Sequence, residues 1–385
     1  MSSDRFLSNL MRGDADGFSL DTDALARFDD IIDLSIGDTN LTTDERVINA
    51  AFSDALNGYT HYGDPKGDPE LRSAVRELWL QDYGEELADS EVLITASAGI
   101  GLSAALSAVV NPGDEIIVFS PYYPTYAQAI YLASGVIKEV PLYAKEGFSL
   151  SRERLIAAIT DKTKAILFNN PVNPTGALYE KSELEMLSQI ATENDLLVIS
   201  DEIYTEYVFD GEFTPLRKMP GMKDRTITLS SFSKNFQMTG WRVGANIADS
   251  ILTEAMFHFN ESSIYTAPII SQRAAIEALK LRSEICPRYK EEFRERIEYS
   301  SSRIDRIPWM TLVKPRGAYY LFPEIKASGL DSRSFCKKLL EDAHILLSPG
   351  SVFGSSGEHH VRIAASCAGL PLLEEAFDRM EKLKF

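Results

Sequence analysis

One lysine of this sequence lies among residue types that suit a covalent cofactor. Lys234 is part of the stretch SFSKNFQMTGWRVG, which also contains Arg242, and Asp201 lies upstream in the segment SDEIY. Pyridoxal phosphate chemistry requires an amine that holds an aldehyde, a carboxylate for a pyridine nitrogen, and cations or amide dipoles for a phosphate. The sequence supplies all three, so it predicts a pyridoxal-phosphate site with Lys234 as the amine.

The elements that would position these residues are short apolar runs alternating with helix-length stretches. From about Glu91 the runs are EVLIT, EIIVF, AILF, LLVIS and TITLSS, and this alternation is typical of a mainly parallel α/β sheet. Ligands of such sheets collect at the carboxyl ends of the strands. The polar residues that directly follow each run are therefore expected to meet in one site.

Two of these strand ends carry further candidates. Ser97, Ala98 and Gly99 follow EVLIT and open a helix, whose free amide groups suit a phosphate. A tight turn without ligand is the alternative for this segment alone, and a dinucleotide fingerprint is disfavoured because the third glycine is missing. AILF is followed by the loop NNPVNPTG, where two prolines and a glycine fix a rigid backbone that presents amide side chains such as Asn173.

The pattern changes after about Leu281. A long charged helix, the segment LVKPRGAYYLF, a second helix near 332–342 and a strand VRIAA indicate a smaller α+β domain. The amino-terminal residues have no strand and helix alternation of their own. We therefore predict a large domain over 46–280 and a small domain built from 1–45 and 281–385.

Several motifs, taken together, resemble one known family. YTHYGDPKGDPELR, NPGDEIIVFSPYYPTY, NNPVNPTG, SDEIY, SFSKNFQMTGWRVG, PRGAYY and VRIAAS follow the order and spacing of the aspartate-aminotransferase superfamily, aminotransferase class I/II of fold type I. The match runs nearly end to end. The resemblance implies a mainly parallel, seven-stranded-type large domain that binds pyridoxal 5'-phosphate, with a smaller α+β domain.

The resemblance also implies roles for individual residues. Lys234 would bind the cofactor aldehyde and act as general base and acid, and Asp201 would pair with the pyridine nitrogen. Tyr204 and Asn173 would hydrogen-bond the phenolic oxygen. The remaining cofactor contacts implied are stacking by Tyr123 and phosphate binding by Ser97, Ala98, Gly99, Ser231, Ser233, Arg242 and, from a neighbouring subunit, Tyr62.

On the substrate side, the resemblance implies that Arg362 binds the α-carboxylate through its planar fork, helped by Gly37 and Asn173. The sequence departs from the family at Ser97, where many relatives have glycine, and at Val172 in the NPTG loop. Gly99 replaces a lysine that in some relatives reads a distal carboxylate, so an acidic donor is not supported. A side-chain pocket is expected from Thr39, Asn40, Tyr122, Tyr126, Tyr265 and residues 351–354.

Composition excludes other classes of function. The 385 residues carry a net charge of -18, which argues against a nucleic-acid surface, and no segment is apolar enough for a signal peptide or a membrane helix. The absence of such segments predicts a cytoplasmic protein, and the three widely spaced cysteines, which form no ligand pair, are expected to be free reduced thiols. His359 and His360 are expected to be a solvated strand pair, and no metal is expected.

The sequence thus predicts a cytoplasmic, homodimeric pyridoxal-phosphate aminotransferase that moves an amino group from an α-amino acid to a 2-oxo acid by a ping-pong mechanism. A C-S β-lyase, or another enzyme acting at Cα, would use the same lysine, aspartate and arginine, because the cofactor supplies the electron sink. A non-catalytic effector-binding module is a third possibility. It is disfavoured because no basic helix-turn-helix extension is present and the lysine is retained.

Overall fold

The computed structural model describes residues 27–385, which contain twelve strands and twelve α-helices. The strands of this part are β1 (Ile32–Asp33), β2 (Val92–Thr95), β3 (Glu115–Ser120), β4 (Val136–Pro141), β5 (Thr163–Asn169), β6 (Leu197–Asp201), β7 (Thr226–Ser231), β8 (Gly244–Ile247), β9 (Tyr320–Leu321), β10 (Ile345–Leu346), β11 (Ser348–Pro349) and β12 (Val361–Ala364). The helices are α1 (Glu45–Leu56), α2 (Pro69–Tyr83), α3 (Ala98–Val109), α4 (Thr125–Leu132), α5 (Arg152–Ala158), α6 (Lys181–Glu193), α7 (Phe232–Asn235), α8 (Ser250–Ile264), α9 (Ile269–Lys280), α10 (Arg282–Ile304), α11 (Ser332–Ala343) and α12 (Leu370–Met380).

Seven strands form the main sheet in the order β2-β8-β7-β6-β5-β3-β4. The pairs β4/β3, β3/β5, β5/β6 and β6/β7 are parallel, whereas β8 runs antiparallel to both β7 and β2. The expected mainly parallel, seven-stranded α/β fold is thus confirmed. The carboxyl ends of β5, β6 and β7 lie side by side at one edge of the sheet, which places the predicted site there.

Helices cover both faces of this sheet, and the apolar runs explain why. In β3, Ile116 and Val118 pack in the cluster that includes α3 and α8, whereas Ile117 and Phe119 pack in the cluster that includes α5 and α6. Successive side chains of a strand point to opposite faces, so a continuous apolar run belongs to a strand covered on both sides.

Local signals in the sequence fix where several helices begin. Asp44, Asp68, Asp249 and Asp331 precede α1, α2, α8 and α11, and each side chain accepts a hydrogen bond from a backbone amide of the first turn. Such caps satisfy amide groups that have no partner within the helix. In α2, Pro69 also occupies the first turn, where its missing N–H costs nothing.

The remaining strands form two small sheets beside the large one. β1 pairs in parallel with β10, and β11-β12-β9 form an antiparallel sheet. Their core includes Ile297 of α10, Phe335 of α11 and Phe377 of α12. The division into domains 46–280 and 1–45 with 281–385 stays a prediction. Its residues 1–26, like the amino terminus judged to lack a signal peptide, lie outside the described part.

The histidine pair differs from its prediction. His359 has a φ of 62°, which is not a strand conformation, and His360 is buried with its ring stacked on Phe322 at a centroid distance of 4.9 Å. The expectation of a solvated strand pair is therefore wrong for His360, because an aromatic neighbour from a distant segment covers it. Within residues 27–385, no helix has the length and apolar character needed to cross a membrane.

Candidate active site

Lys234 lies on a short helix directly after β7. Ser231 ends the strand and caps α7, because its side chain accepts a hydrogen bond from the amide of Ser233 at 3.1 Å. The Lys234 ammonium is partly buried and donates to the carbonyl oxygen of Gly37. Burial lowers the pKa of Lys234 to about 8; the nearby Asp38 opposes this shift, while Arg362 and Arg242 add to it. A fraction of this amine is therefore neutral and nucleophilic near neutral pH.

Asp201 ends the neighbouring strand β6 and is buried. Its Oδ2 atom accepts a hydrogen bond from the hydroxyl of Tyr126, whereas Oδ1 is buried without a partner in the described part of the chain. Burial raises the pKa of Asp201 to about 6, and the Tyr126 hydroxyl, the backbone amide of Ile203 and Lys234 oppose this shift. An acceptor oxygen left free in a buried place fits a charged N–H donor.

The loop after β5 ties these strand ends together. Asn169 accepts a hydrogen bond from the amide of Asn173 at 2.6 Å and donates to the carbonyl of Asp201 at 2.8 Å. The Asn173 side-chain oxygen then accepts from Nη1 of Arg362 at 3.1 Å. Tyr204 follows Asp201 in a turn rather than in a helix.

One end of the site is built for an anion. The amino terminus of α3 begins at Ala98, and Ser231, Ser233 and Arg242 line the same pocket. Arg242 is exposed and Nη1 donates to the carbonyl of Thr239 at 2.8 Å, while the Ser233 hydroxyl is buried and unpaired among the described residues. Helix amide groups, hydroxyls and a guanidinium together suit a phosphate dianion.

Ser97 explains one departure from the family pattern. It caps α3 with φ of 94° and ψ of 159°, a backbone region that only glycine adopts without strain. Its side chain accepts a long hydrogen bond from the amide of Ile100 at 3.4 Å. The serine therefore gains a weak cap at the cost of a strained backbone.

Arg362 projects from β12 and is buried. Its guanidinium lies between the rings of Tyr320 and Phe353, 4.8 Å from each centroid. Nη2 donates to the carbonyl of Ser35 and to the hydroxyl of Ser348 at 3.3 Å, while Nε is buried and has no partner in the part of the chain described. The planar guanidinium is thus held in place while its Nε–H group remains free to donate, which suits a carboxylate ligand.

These side chains enclose one pocket of about 290 Å³. The predicted residues that line it are Gly37, Ser97, Ala98, Gly99, Tyr123, Asn173, Asp201, Tyr204, Ser231, Ser233, Lys234, Arg242 and Arg362. Tyr62 is not among the lining residues; it is 84% exposed and packs edge-on against Tyr265 at 5.0 Å. A larger groove of about 650 Å³ lies between α2, α9 and α10, but its Arg282 is already paired with Asp82 and Glu206.

Two tyrosines were not assigned these positions from the sequence. Tyr126 was expected to line the pocket for the substrate side chain, but its hydroxyl donates to Asp201. Tyr320 lies against Tyr204 and Arg362. Among the other residues expected to read the substrate, Asn40 accepts from Arg296 and Tyr122 donates to Glu139, both at 2.8 Å. The only available signal for Tyr320 was its place in the motif PRGAYY.

Comparison with known proteins gives consistent matches. The family described as aminotransferase class I and II matches residues 29–379. An aspartate aminotransferase of Pyrococcus abyssi is 38% identical over 370 residues, 94% of this chain and 93% of that protein. Aromatic-amino-acid aminotransferase 2 of Thermococcus litoralis is 38% identical over 92% of this chain and 91% of that protein. The structure of aspartate aminotransferase from Thermus thermophilus with maleate superposes with a TM-score of 0.88 at 32% identity, covering 92% of this chain and 91% of that one.

Proposed function

Because this chain belongs to the aminotransferase class I and II family, we propose that its pocket performs transamination with the residues described above. The protein is an enzyme, a pyridoxal-phosphate-dependent aminotransferase, which moves an amino group from an α-amino acid to a 2-oxo acid. The observation that supports the residue assignment is the meeting of Lys234, the half-paired carboxylate of Asp201 and the anion-binding end in one pocket. We propose a ping-pong order for the two half-reactions.

The residues of the pocket fit pyridoxal 5'-phosphate. Asp201 would hold a proton on the ring nitrogen through its free Oδ1, and Tyr204 with Asn173 would bind the phenolic oxygen. The face of the exposed Tyr123 would cover the ring. The phosphate would be bound by the amides of Ser97, Ala98 and Gly99, by Ser231 and Ser233, and by Arg242. When bound, this cofactor supplies an electron sink for the Cα atom of an amino acid.

The substrate would be held at the opposite end of the pocket. Arg362 would bind the α-carboxylate, with Asn173 and Gly37 beside it, and all three residues line the same pocket as Lys234. Lys234 would then remove and return a proton at Cα, since its lowered pKa makes it both base and acid near neutral pH. Gly99 offers no cation for a distal carboxylate, so we propose a neutral donor, aromatic or aliphatic, rather than aspartate.

Isotope transfer tests the reaction. Phenylalanine, leucine and aspartate, each labelled with ¹⁵N, are incubated with the enzyme and a 2-oxo acid, and new labelled amino acid is measured by mass spectrometry. We expect transfer from the neutral donors, parallel lines in double-reciprocal plots, and no transfer with Lys234→Ala. Release of ammonia and a 2-oxo acid without any acceptor would instead identify a lyase.

We further propose a homodimer with shared sites. Leu56 and Phe52 of α1 are 91% and 56% exposed, and the ring of Phe52 lies 6.4 Å from that of Trp241, the residue before Arg242. Tyr62 is 84% exposed. A patch of large exposed apolar side chains next to an open anion site fits a second copy of the chain. Tyr62 of one copy would then reach the phosphate of the other.

Subunit mixing tests this arrangement. If Tyr62 acts across the interface, a mixed dimer of Tyr62→Ala and Lys234→Ala subunits carries both lesions in one site and leaves the other site free of both. If Tyr62 acts within its own subunit, each site carries one lesion. We expect the mixture, after unfolding and refolding together, to exceed the summed activity of the separate variants. A fully active monomer in analytical ultracentrifugation would contradict the proposal.

We also propose a cytoplasmic location without nucleic-acid or membrane partners, based on the acidic composition and the three free cysteines.

A further inference from the structure

Tyr320 contacts two residues of the pocket, Tyr204 and Arg362. It is buried in β9, and its hydroxyl oxygen lies 2.8 Å from the hydroxyl oxygen of Tyr204. Its ring lies under the guanidinium of Arg362 at 4.8 Å. A Cβ atom added to Gly37 would come within 2.3 Å of the Tyr320 hydroxyl. The Tyr320 side chain can therefore occupy this position only because residue 37 is a glycine.

The direction of the hydrogen bond between the two tyrosines follows from counting protons. A tyrosine hydroxyl has one proton to donate and two lone pairs that accept. If Tyr204 donates its proton to the phenolic oxygen of the cofactor, as proposed above, it has none left for Tyr320. The bond observed between them then requires Tyr320 to be the donor.

We propose that Tyr320 is a positioning residue for the reaction: its hydroxyl donates to Tyr204, which directs the single proton of Tyr204 into the pocket toward the cofactor. This inference rests on the proposed function of Tyr204. A purely structural role is the competing explanation, because the Tyr320 ring also packs edge-on against Tyr204 at 5.7 Å and beside Tyr319 at 4.9 Å.

Tyr320→Phe separates the two roles, since it keeps the ring and removes only the hydroxyl. The main readout is the pH midpoint of the absorbance change of the bound cofactor. A weaker donor at the phenolic oxygen favours the protonated form, so the midpoint moves upward. We expect a rise of about half to one pH unit for Tyr320→Phe, the size of one lost neutral hydrogen bond, and a larger rise for Tyr204→Phe.

The double variant Tyr204→Phe/Tyr320→Phe closes a mutant cycle. We expect it to match Tyr204→Phe alone, because the Tyr320 proton acts only through Tyr204. The second readout is the Kd of 3-phenylpropionate, a carboxylate without an amino group, which should stay within twofold in Tyr320→Phe because Arg362 keeps its ring contact. The matched control is Tyr179→Phe, which removes a buried hydroxyl beside Phe168, away from the pocket, and should move neither value.

Each outcome has one meaning. If Tyr204→Phe moves the midpoint and Tyr320→Phe does not, the inference is wrong while the proposed function stands. If neither single variant moves the midpoint, Tyr204 does not donate to the phenolic oxygen, and the inference about Tyr320 falls with that role. If the shifts of the two single variants add in the double variant, Tyr320 acts independently of Tyr204 and is not its positioning residue.

Discussion

Replacing Asp201 by asparagine should make the stability of the cofactor-free protein less dependent on pH while it abolishes catalysis. The carboxylate is buried, its Oδ1 atom has no partner among the described residues, and burial raises its pKa from 3.8 to about 6. The folded chain therefore keeps this proton to a higher pH than the unfolded chain does. The free energy of unfolding falls as pH rises through this window, and the penalty is complete above about pH 6.

The magnitude follows from the two pKa values. A shift from 3.8 to about 6 corresponds to about 3 kcal/mol at 1.36 kcal/mol per unit, and about 2 kcal/mol of it falls between roughly pH 4.5 and 7.5. Asp201→Asn has no ionisable group at this position, so its free energy of unfolding lacks this pH-dependent change. Its amide nitrogen faces a place without an acceptor, which adds a cost that does not depend on pH. The difference between variant and wild type should thus grow by about 2 kcal/mol across that range.

Urea unfolding of the cofactor-free proteins at several pH values measures this difference. Asp195→Asn is the control, because its side chain is 96% exposed. Added pyridoxal phosphate should raise the Tm of the wild type more than that of Asp201→Asn, since the ring nitrogen would neutralise the buried carboxylate. A stability difference that is flat with pH would refute the reasoning, because it would mean that Asp201 is ionised in the folded chain at no cost.

Three further predictions concern single side chains. Borohydride should fix pyridoxal phosphate to Lys234 in the wild type and to no residue in Lys234→Ala; peptide mass spectrometry that finds the label on another lysine would contradict this. Arg362→Lys keeps the charge but loses the planar fork, so kcat/KM should fall about 30- to 150-fold for all donors, while the cofactor Kd stays unchanged. A loss under twofold would exclude Arg362 as the carboxylate anchor. Ser97→Gly should raise the free energy of unfolding by about 1 kcal/mol, because relief of the strained φ of 94° outweighs the flexibility of glycine and the lost cap. A lower Tm would show that the cap matters more.

The alternation of apolar runs was enough to predict the main sheet and the residues gathered at its edge. The run TITLSS coincides with β7, and Asp201 and Lys234 lie at or just beyond the ends of adjacent parallel strands. Parallel strands bring their carboxyl ends to one edge of the sheet. The meeting of residues that directly follow apolar runs can therefore be predicted without knowledge of tertiary contacts. This is why the amine, the carboxylate and the NPTG loop could be grouped from their order alone.

The side chains that support the amine, the carboxylate and the NPTG loop could not be predicted in this way, because they come from distant parts of the chain. Tyr126 and Asp201 are separated by 75 positions, Tyr204 and Tyr320 by 116, and Asn173 and Arg362 by 189. Periodicity reports the face of an element on which a side chain lies, but it carries no information about which distant element packs against that face. The Tyr126 hydroxyl next to Asp201 therefore arises from packing of α4 on the main sheet. The place of Tyr320 between Tyr204 and Arg362 arises from packing of the β11-β12-β9 sheet beside the site.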